Sequence, residues 1–143
     1  MARADELPQL VALLGVLFAQ EAEFAPDEAK QSRALESILS DPSKGDIYVA
    51  RQQGRVVAMA SLLYTVSTAE GGAAALFEDL IVHPEHRGHG IATALVSFVI
   101  AQAKARRILR LTLLTDIQNE PAHALYRKLG FTASSMKVMR RKL

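Results

Sequence analysis

The chain has no cysteine among its 143 residues. This absence excludes a disulfide framework, a thiolate metal site and a cysteine nucleophile, and it is compatible with a reducing cytoplasm. Long hydrophobic runs are also missing. The longest early one, residues 10–19, falls well short of the roughly 20 residues that a spanning helix needs. Because it also lacks a basic leader and an evident cleavage site, we expect a soluble, cytoplasmic protein with no membrane partner.

An excess of one charge is the third feature that the sequence lacks. Seventeen Lys and Arg stand against fifteen Asp and Glu, a formal net charge of +2. That balance is too mild to indicate a nucleic acid as a partner. A chain of this length fits one domain, residues 1–143, and buries about 68–70% of its unfolded surface. Function therefore has to be inferred from local motifs.

Hydrophobic periodicity divides the chain into helices and strands. Helical spacing predicts a helix over Leu7–Phe18, a second helix that ends at Asp41-Pro42, a third that begins after Gly90, and a fourth over Asn119–Leu129. Apolar runs between turn signals predict the strands Ile47–Gln52, Arg55–Val66, Ala73–Val82, Ile108–Leu114 and Phe131–Arg141. Because a helix connects Ala73–Val82 to Ile108–Leu114, we expect those two strands to be parallel.

A basic, glycine-punctuated loop joins a strand to a helix between residues 83 and 90. Gly88 and Gly90 allow the backbone to turn with its N–H groups pointing inward, and a helix start adds unpaired amides and a partial positive charge. This corner therefore suits a phosphate group. A dinucleotide fingerprint is disfavoured because Arg110 stands where an acid is expected, and no Gly-Lys-Ser/Thr nucleotide loop occurs.

Two signatures in this order resemble the GNAT family of N-acetyltransferases. The first is Arg87-x-x-Gly90-x-Ala92 between a strand and a helix. The second is Asn119, a helix that ends in Tyr126, and then Gly130-Phe131 leading into a strand. Together they cover roughly residues 77 to 131.

The resemblance implies an α/β fold with a mixed central sheet of six or seven strands. In the family the sheet is antiparallel except for a central parallel pair that splays apart, with two helices early in the chain and two late. The family usually begins with a strand, which in this chain is either abbreviated or absent, since residues 1–4 are too few to judge. Relatives also have a glycine just before the fourth strand, where this chain has Arg106-Arg107.

The resemblance further implies acetyl-CoA as the acetyl donor. The exposed backbone of the third strand would bind the pantetheine arm like an added strand, and the amide of Val82 would polarise the thioester carbonyl. The expected cofactor-binding residues are Leu80, Ile81, Val82, Arg87, Gly88, His89, Gly90, Ile91, Ala92, Thr93, Asn119 and Tyr126. Asn119 stands before Glu120-Pro121, so a helix N-cap is an equally good interpretation of that residue.

Acetylation of an amine needs a group that removes a proton from the acceptor and a group that protonates the departing thiolate. Glu78 is the candidate for the first role, because relatives often have a glutamate at this point of the strand. Strand alternation predicts that its neighbour Asp79 points to the opposite face. Tyr126 is the candidate for the second role. The alternatives are a salt-bridged carboxylate and a tyrosine that only packs in the core.

Three histidines at i, i+3 and i+6, namely His83, His86 and His89, suggest a metal site with Glu85 as a further ligand. Pro84 and the two glycines break the helix that would align these side chains, and a loop around a pyrophosphate leaves no room for tetrahedral coordination. We therefore expect no metal site.

The predicted function is acetyl transfer from acetyl-CoA to a primary amine, by direct attack in a ternary complex. The predicted acceptor is a small cationic amine, because acidic residues cluster in the break between the first two helices (Glu21, Glu23, Asp27 and Glu28). Asp27 and Glu28 also suit the start of the second helix. The alternatives are a protein lysine or N-terminus as acceptor, and a non-catalytic acyl-CoA sensor. A homodimer is left open as the assembly.

Overall fold

In a computed structural model, which describes residues 1–21 and 23–143, the chain forms one four-stranded sheet with helices on both faces. The α-helices are α1 (Leu7–Gln20), α2 (Glu28–Leu39), α3 (Ile91–Ala105) and α4 (Glu120–Lys128). The strands are β1 (Gly45–Gln52), β2 (Arg55–Ser67), β3 (Gly72–Val82) and β4 (Arg110–Leu113). Short 3-10 helices lie at Ala4–Glu6 and Pro84–His86.

The strands lie in the order β1-β2-β3-β4. The first three are antiparallel neighbours, and β4 pairs parallel to β3, as the crossover through α3 predicts. The turn between β1 and β2 has positive φ at both Gln53 (48°) and Gly54 (77°), the conformation that two-residue hairpins prefer. This order puts the parallel pair β3–β4 at one edge of the described sheet.

Two separate apolar cores hold the helices to the sheet. Alternate residues of β2 point to opposite faces, so Ala58, Ala60 and Leu62 pack with α3, while Met59 packs with α1 and α2. Helix α4 covers the α3 side through Leu125, Tyr126 and Leu129. The α/β class, the two early and two late helices and the mixed sheet with one parallel pair are therefore confirmed.

The expected number of strands was too high, because the described residues contain four strands rather than six or seven. The predicted strand Phe131–Arg141 is not a strand: residues 131–143 lie outside the sheet. Its neighbour would be β4, which is only four residues long and offers few backbone groups. The segment is held by side chains instead, since Arg140 pairs with Glu23 and lies over the ring of Phe24 at 5.7 Å.

The N-terminal residues join the sheet through a backbone contact rather than a strand. The amide of Ala2 donates to the carbonyl of Ile47 at 2.7 Å, beside β1, before the first 3-10 helix begins. The Glu6 carboxylate, which is 1% exposed, fixes this segment by accepting hydrogen bonds from the Arg51 side chain at 2.6 and 2.8 Å.

The end of α3 shows what replaces the family's glycine. Arg107 adopts a positive φ of 57°, and Arg106 reaches back to the buried Asp46 carboxylate at 2.6 Å. Asp46 also accepts hydrogen bonds from Tyr48 and Tyr64. This network of polar side chains ties the C-terminus of α3 to β1 and β2 at the end of the sheet opposite the glycine loop.

Candidate active site

The two parallel strands pair only at their N-terminal ends. Their register runs from Ala74 opposite Arg110 to Phe77 opposite Leu113, and β4 ends there whereas β3 continues to Val82. The amide of His83 donates to the carbonyl of Val57 on β2 at 2.8 Å. Because amides alternate along a strand, those of Val82 and Leu80 face the opened edge. That edge can accept an extended chain as a further strand.

The side chains along this stretch of β3 serve the cores. Ile81 is buried against α1 and α2, and Val82 is buried on the α3 side, where Leu80 is partly buried. A ligand in the opening would therefore contact these residues through their backbone.

The predicted phosphate corner has the geometry that anion binding needs. Gly88 and Gly90 both have positive φ, 79° and 76°, and Gly90 is the N-cap of α3. The first hydrogen bond of the helix joins the Ala94 amide to the Gly90 carbonyl at 3.0 Å. The amides of Ile91, Ala92 and Thr93 therefore have no partner within the helix and remain available to an anion.

Arg87 braces this corner. Its Nε donates to the carbonyl of Val82 at 3.0 Å, and its terminal nitrogen lies 3.4 Å from Oε1 of Gln20 at the end of α1. The ring of His89 lies against the carbonyl of His86 at 3.4 Å. Arg87 thus joins the loop to both β3 and α1, on either side of the opening.

A cavity of about 440 Å³ adjoins the opening between the strands. It is lined by residues from the end of α1, β3, the loop after β4 and α4, namely Leu17, Gln20, Glu21, Phe77, Glu78, Asp79, Leu80, Leu114, Thr115, Asp116, Gln118, Asn119, Pro121, Ala122 and Tyr126. Both predicted catalytic residues, Glu78 and Tyr126, are therefore brought to one cavity. Its volume is in the range of small-molecule sites.

Asp79 contradicts the prediction from strand alternation, because it lines the same cavity as Glu78. The register of β2 and β3 shifts between Met59–Ile81 and Ser61–Glu78, so Asp79 and Leu80 together oppose one residue of β2. This β-bulge adds one residue to β3, and Asp79 takes a left-handed φ of 56°. Its Oδ2 accepts a hydrogen bond from the hydroxyl of Ser61 at 3.0 Å. Ser61 is also the cross-strand partner of Glu78.

The cavity is strongly acidic, with four carboxylates along its walls: Glu21, Glu78, Asp79 and Asp116. Burial, with a smaller contribution from Glu78 and Glu21, raises the pKa of Asp79 to about 6, although the hydrogen bond from Ser61 opposes the rise. Burial and the nearby Asp116 carboxylate also raise the pKa of Glu21. A cationic ligand would relieve this concentration of negative charge.

Tyr126 stands on the opposite side of the cavity, on α4. Its ring packs edge-on against Phe77 and Phe131, with centroids 6.2 and 5.7 Å away. Burial raises the pKa of its hydroxyl to about 12, so the group stays protonated at physiological pH. Asn119 caps α4, since its Oδ1 accepts from the Ala122 amide at 3.2 Å, and it also lines the cavity.

The acidic residues of the α1–α2 break differ in position. Glu21 lines the cavity, whereas Glu23 is paired with Arg140. Asp27 is the N-cap of α2 and accepts from the Lys30 amide at 3.1 Å, and the exposed Glu28 lies in the first turn of that helix. Only one residue of the four is therefore part of the cavity wall.

Sequence reasoning did not identify Asp116 or the cavity-facing position of Asp79. Asp116 follows β4 on a loop that is held by His123, whose Nε2 lies 2.8 Å from the Asp116 carbonyl. The signal that was available is its place just after a strand that leaves the parallel pair, where ligand sites tend to lie.

Two further observations concern the part of the chain that the structure describes. No group of three or more His, Asp or Glu side chains there is arranged to hold a metal ion, and the rings of His83 and His86 lie edge to face at 5.8 Å. No helix among the described residues is both long and apolar enough to cross a membrane.

Comparisons with known proteins agree with this geometry. The chain is 41% identical over 58 residues to streptothricin acetyltransferase from Escherichia coli, a match that covers 41% of this chain and 33% of the relative. It superposes on a putative acetyltransferase from Agrobacterium tumefaciens with a TM-score of 0.82 and 27% identity, over 99% of this chain and 96% of the other.

A third relative matches in fold. A predicted acetyltransferase from Clostridium acetobutylicum, whose structure was solved with acetyl-CoA, superposes with a TM-score of 0.78 and 19% identity, over 98% of this chain and 92% of that one. The chain spans between a third and a half of the length of the curated relatives that it matches. The family profile described as Acetyltransferase (GNAT) family matches residues 12–131, most of the sequence, and the chain therefore belongs to the GNAT acetyltransferase family.

Proposed function

We propose that this protein transfers the acetyl group of acetyl-CoA to the primary amine of a small molecule, by direct attack in a ternary complex. The observation that carries the proposal is the opening between β3 and β4. It joins a glycine corner with unpaired helix amides to a cavity lined by four carboxylates and by Tyr126. Few other reactions need an anion-binding corner, carboxylates and a tyrosine next to one another.

The chain's own residues suit each part of acetyl-CoA. The amides from Gly88 to Thr93 would hold the pyrophosphate, whereas the Arg87 amide is bonded to the Pro84 carbonyl at 3.3 Å. The amides of Leu80 and Val82 would hold the pantetheine arm. The amide of Val82 would also polarise the thioester carbonyl, because a fixed backbone donor stabilises the developing oxyanion without reorganising. When bound, acetyl-CoA supplies the activated acyl group.

The reaction at the acceptor would use the cavity's side chains. A free alkylamine has a pKa near ~10.4, so the acceptor arrives as an ammonium and must lose a proton before it can attack. Glu78, next to the pantetheine-binding stretch, would help to remove that proton, directly or through water. Tyr126 would donate to the departing thiolate from the opposite wall.

The volume and the acidic lining of the cavity favour a small cationic acceptor over a protein chain. Its volume of about 440 Å³ holds a small molecule, and the residues that line it come from four separate elements. The relative that is named for streptothricin supports a small-molecule acceptor, although the matched region covers only part of each chain.

Two measurements test the proposal. Calorimetry should show acetyl-CoA binding, and Gly90→Asp should abolish that binding because a carboxylate would face the pyrophosphate; Gly15→Asp, on α1, is the matched control. An acetyl-CoA consumption screen across amines, amino acids and peptides should then find turnover with small amines. Binding without any turnover would favour an acyl-CoA sensor, and turnover with peptides alone would favour a protein acceptor. An absence of acetyl-CoA binding would contradict the proposal as a whole.

A further inference from the structure

The β-bulge in β3 places a second carboxylate beside Glu78. Without the extra residue, alternation would turn the side chain after Glu78 away from it, toward the α3 side where Phe77 packs. The bulge instead holds Asp79 against Ser61, and both acidic neighbours line the cavity. A positive φ is uncommon outside glycine, and such positions are concentrated at functional sites.

The carboxylate of Asp79 is only partly satisfied. Among the residues that the structure describes, the one hydrogen bond to this carboxylate comes from Ser61 to Oδ2. Ser61 is itself fully buried, so that contact is shielded from water. The second oxygen is therefore available to a proton.

Three further carboxylates line the cavity with Asp79: Glu78 on β3, Glu21 just after α1, and Asp116 on the loop before α4. The titratable group that α4 brings to the cavity is the Tyr126 hydroxyl. No Lys or Arg is among the described residues that line the cavity, and Arg140, whose charge acts on Glu21, is paired with Glu23. A proton on one member of the group relieves the repulsion among them, as in other pairs of adjacent carboxylates.

We propose that Asp79 is a further catalytic residue, which acts with Glu78 as a carboxylate pair and holds the proton that the acceptor ammonium gives up. This inference rests on the proposed function. Glu78 attracts the amine, while Asp79, bonded to Ser61, is the member on which the proton resides. Burial and the charges of Glu78 and Glu21 raise the pKa of Asp79 to about 6, close to the pH at which a general base is most effective.

The protons balance over one turnover. The acceptor ammonium gives one proton to Asp79, and the resulting amine attacks the thioester carbon, so a C–N bond forms and the C–S bond breaks. The second proton of the nitrogen passes to the departing thiolate, which a hydrogen bond from Tyr126 stabilises, and the third stays on the amide. The proton on Asp79 then leaves to solvent when the products dissociate.

The first test is the pH dependence of kcat/KM with 1,4-diaminobutane as the acceptor probe. The wild type should lose activity as the pH falls through about 6, because a protonated pair cannot accept. Asp79→Asn should lower kcat by about 10²-fold or more and remove that acidic limb, with acetyl-CoA binding unchanged. Asp5→Asn, which removes an exposed carboxylate, is the control. It should retain both the wild-type kcat and the acidic limb of the pH profile.

Two neighbours should move the acidic limb in opposite directions. Ser61→Ala removes the hydrogen bond that favours the charged form, so the limb should move to higher pH. Glu78→Gln removes a repelling charge and so lowers the pKa of Asp79. The acidic limb of any activity that remains should therefore move to lower pH. A residue that only supports the bulge would not produce opposite shifts.

The second test needs no turnover. Carbon-13 NMR of the side-chain carboxyls should show one group that titrates near pH 6 in the wild type and is missing from Asp79→Asn. The proposal is wrong if no carboxyl titrates above pH 5, if Asp79→Asn keeps the wild-type rate and limb, or if this variant loses acetyl-CoA binding along with activity. A wild type that acetylates no amine would overturn the proposed function and this inference together, whereas an active, limb-retaining Asp79→Asn would overturn this inference alone.

Discussion

Tyr126 illustrates how the packing around one residue limits its chemistry. Phe77 and Phe131 hold its ring from two sides, and burial raises the pKa of the hydroxyl to about 12. The group can therefore donate a hydrogen bond at neutral pH but cannot act as a base. Since a thiol has a pKa near ~8.5, full proton transfer from this hydroxyl is costly, so its main contribution under the proposed function would be to stabilise the departing thiolate by hydrogen bonding.

For this reason we expect Tyr126→Phe to lower kcat by roughly 10- to 100-fold while changing acetyl-CoA affinity little. Steady-state rates with the best amine of the screen and calorimetry with acetyl-CoA would measure the two effects separately. The phenylalanine ring preserves the packing with Phe77, so unfolding should change little. A loss of affinity as large as the loss of rate would show that the hydroxyl binds the cofactor instead.

At the level of secondary-structure elements, buried charged side chains replace features that relatives build from the backbone. The N-terminal segment lacks a strand and is attached through Glu6, which accepts from Arg51 and from the Arg3 amide. The hydrogen bond from Arg51, with help from Arg3, lowers the pKa of Glu6 to about 2. The carboxylate therefore stabilises the folded state only when it is charged.

Glu6→Gln should lower the free energy of unfolding at pH 7 by roughly 2–3 kcal/mol, a figure reduced because Arg51 is partly exposed. In the wild type this contribution is complete above a pH of about 4.5, the ordinary pKa of Glu, and is lost as the pH falls toward 2. Urea unfolding at pH 7 and pH 3 would measure the change, and the difference between the two proteins should shrink at the lower pH. The control is Asp5→Asn, an exposed neighbour, and an equal effect of both substitutions would contradict the role of Glu6.

For the whole molecule, the distribution of charge matters more than its sum. The formal net charge is +2, yet the described cavity wall carries four carboxylates and no Lys or Arg. A cationic amine would be attracted into this cavity, and an acidic amino acid would be repelled. Salt screens such attraction over a Debye length of about 8–10 Å.

We therefore expect faster acetylation of 1,4-diaminobutane than of glutamate, and a larger advantage at low salt. Asp116→Asn, which removes one wall charge outside the Glu78–Asp79 pair, should raise KM for the diamine several-fold and flatten its salt dependence. Glu36→Gln, on the exposed side of α2, is the matched control and should change neither quantity. Faster turnover of glutamate would contradict the proposed acceptor class.

Features that depend on short stretches of chain were predictable from the sequence. The four helices, the hairpin at Gln53-Gly54, the parallel pair and the phosphate corner follow from periodicity, from turn residues and from the glycines that need positive φ. Local signals of this kind are contained within about a dozen residues. That is why the positions of Gly88, Gly90 and Tyr126 relative to their elements could be predicted before the fold was known.

Features that depend on contacts between segments distant in the sequence were decided only by the tertiary structure. The bulge at Asp79 arises from the pairing of β3 with β2, so no pattern within β3 alone could show it. Residues 131–143 have a strand-like pattern, but strand formation also needs a neighbour with backbone groups to pair, and the four-residue β4 provides few. The sequence by itself determined the glycine corner, whereas the acidic wall of Glu21, Asp79 and Asp116 exists only because three distant segments fold around one cavity.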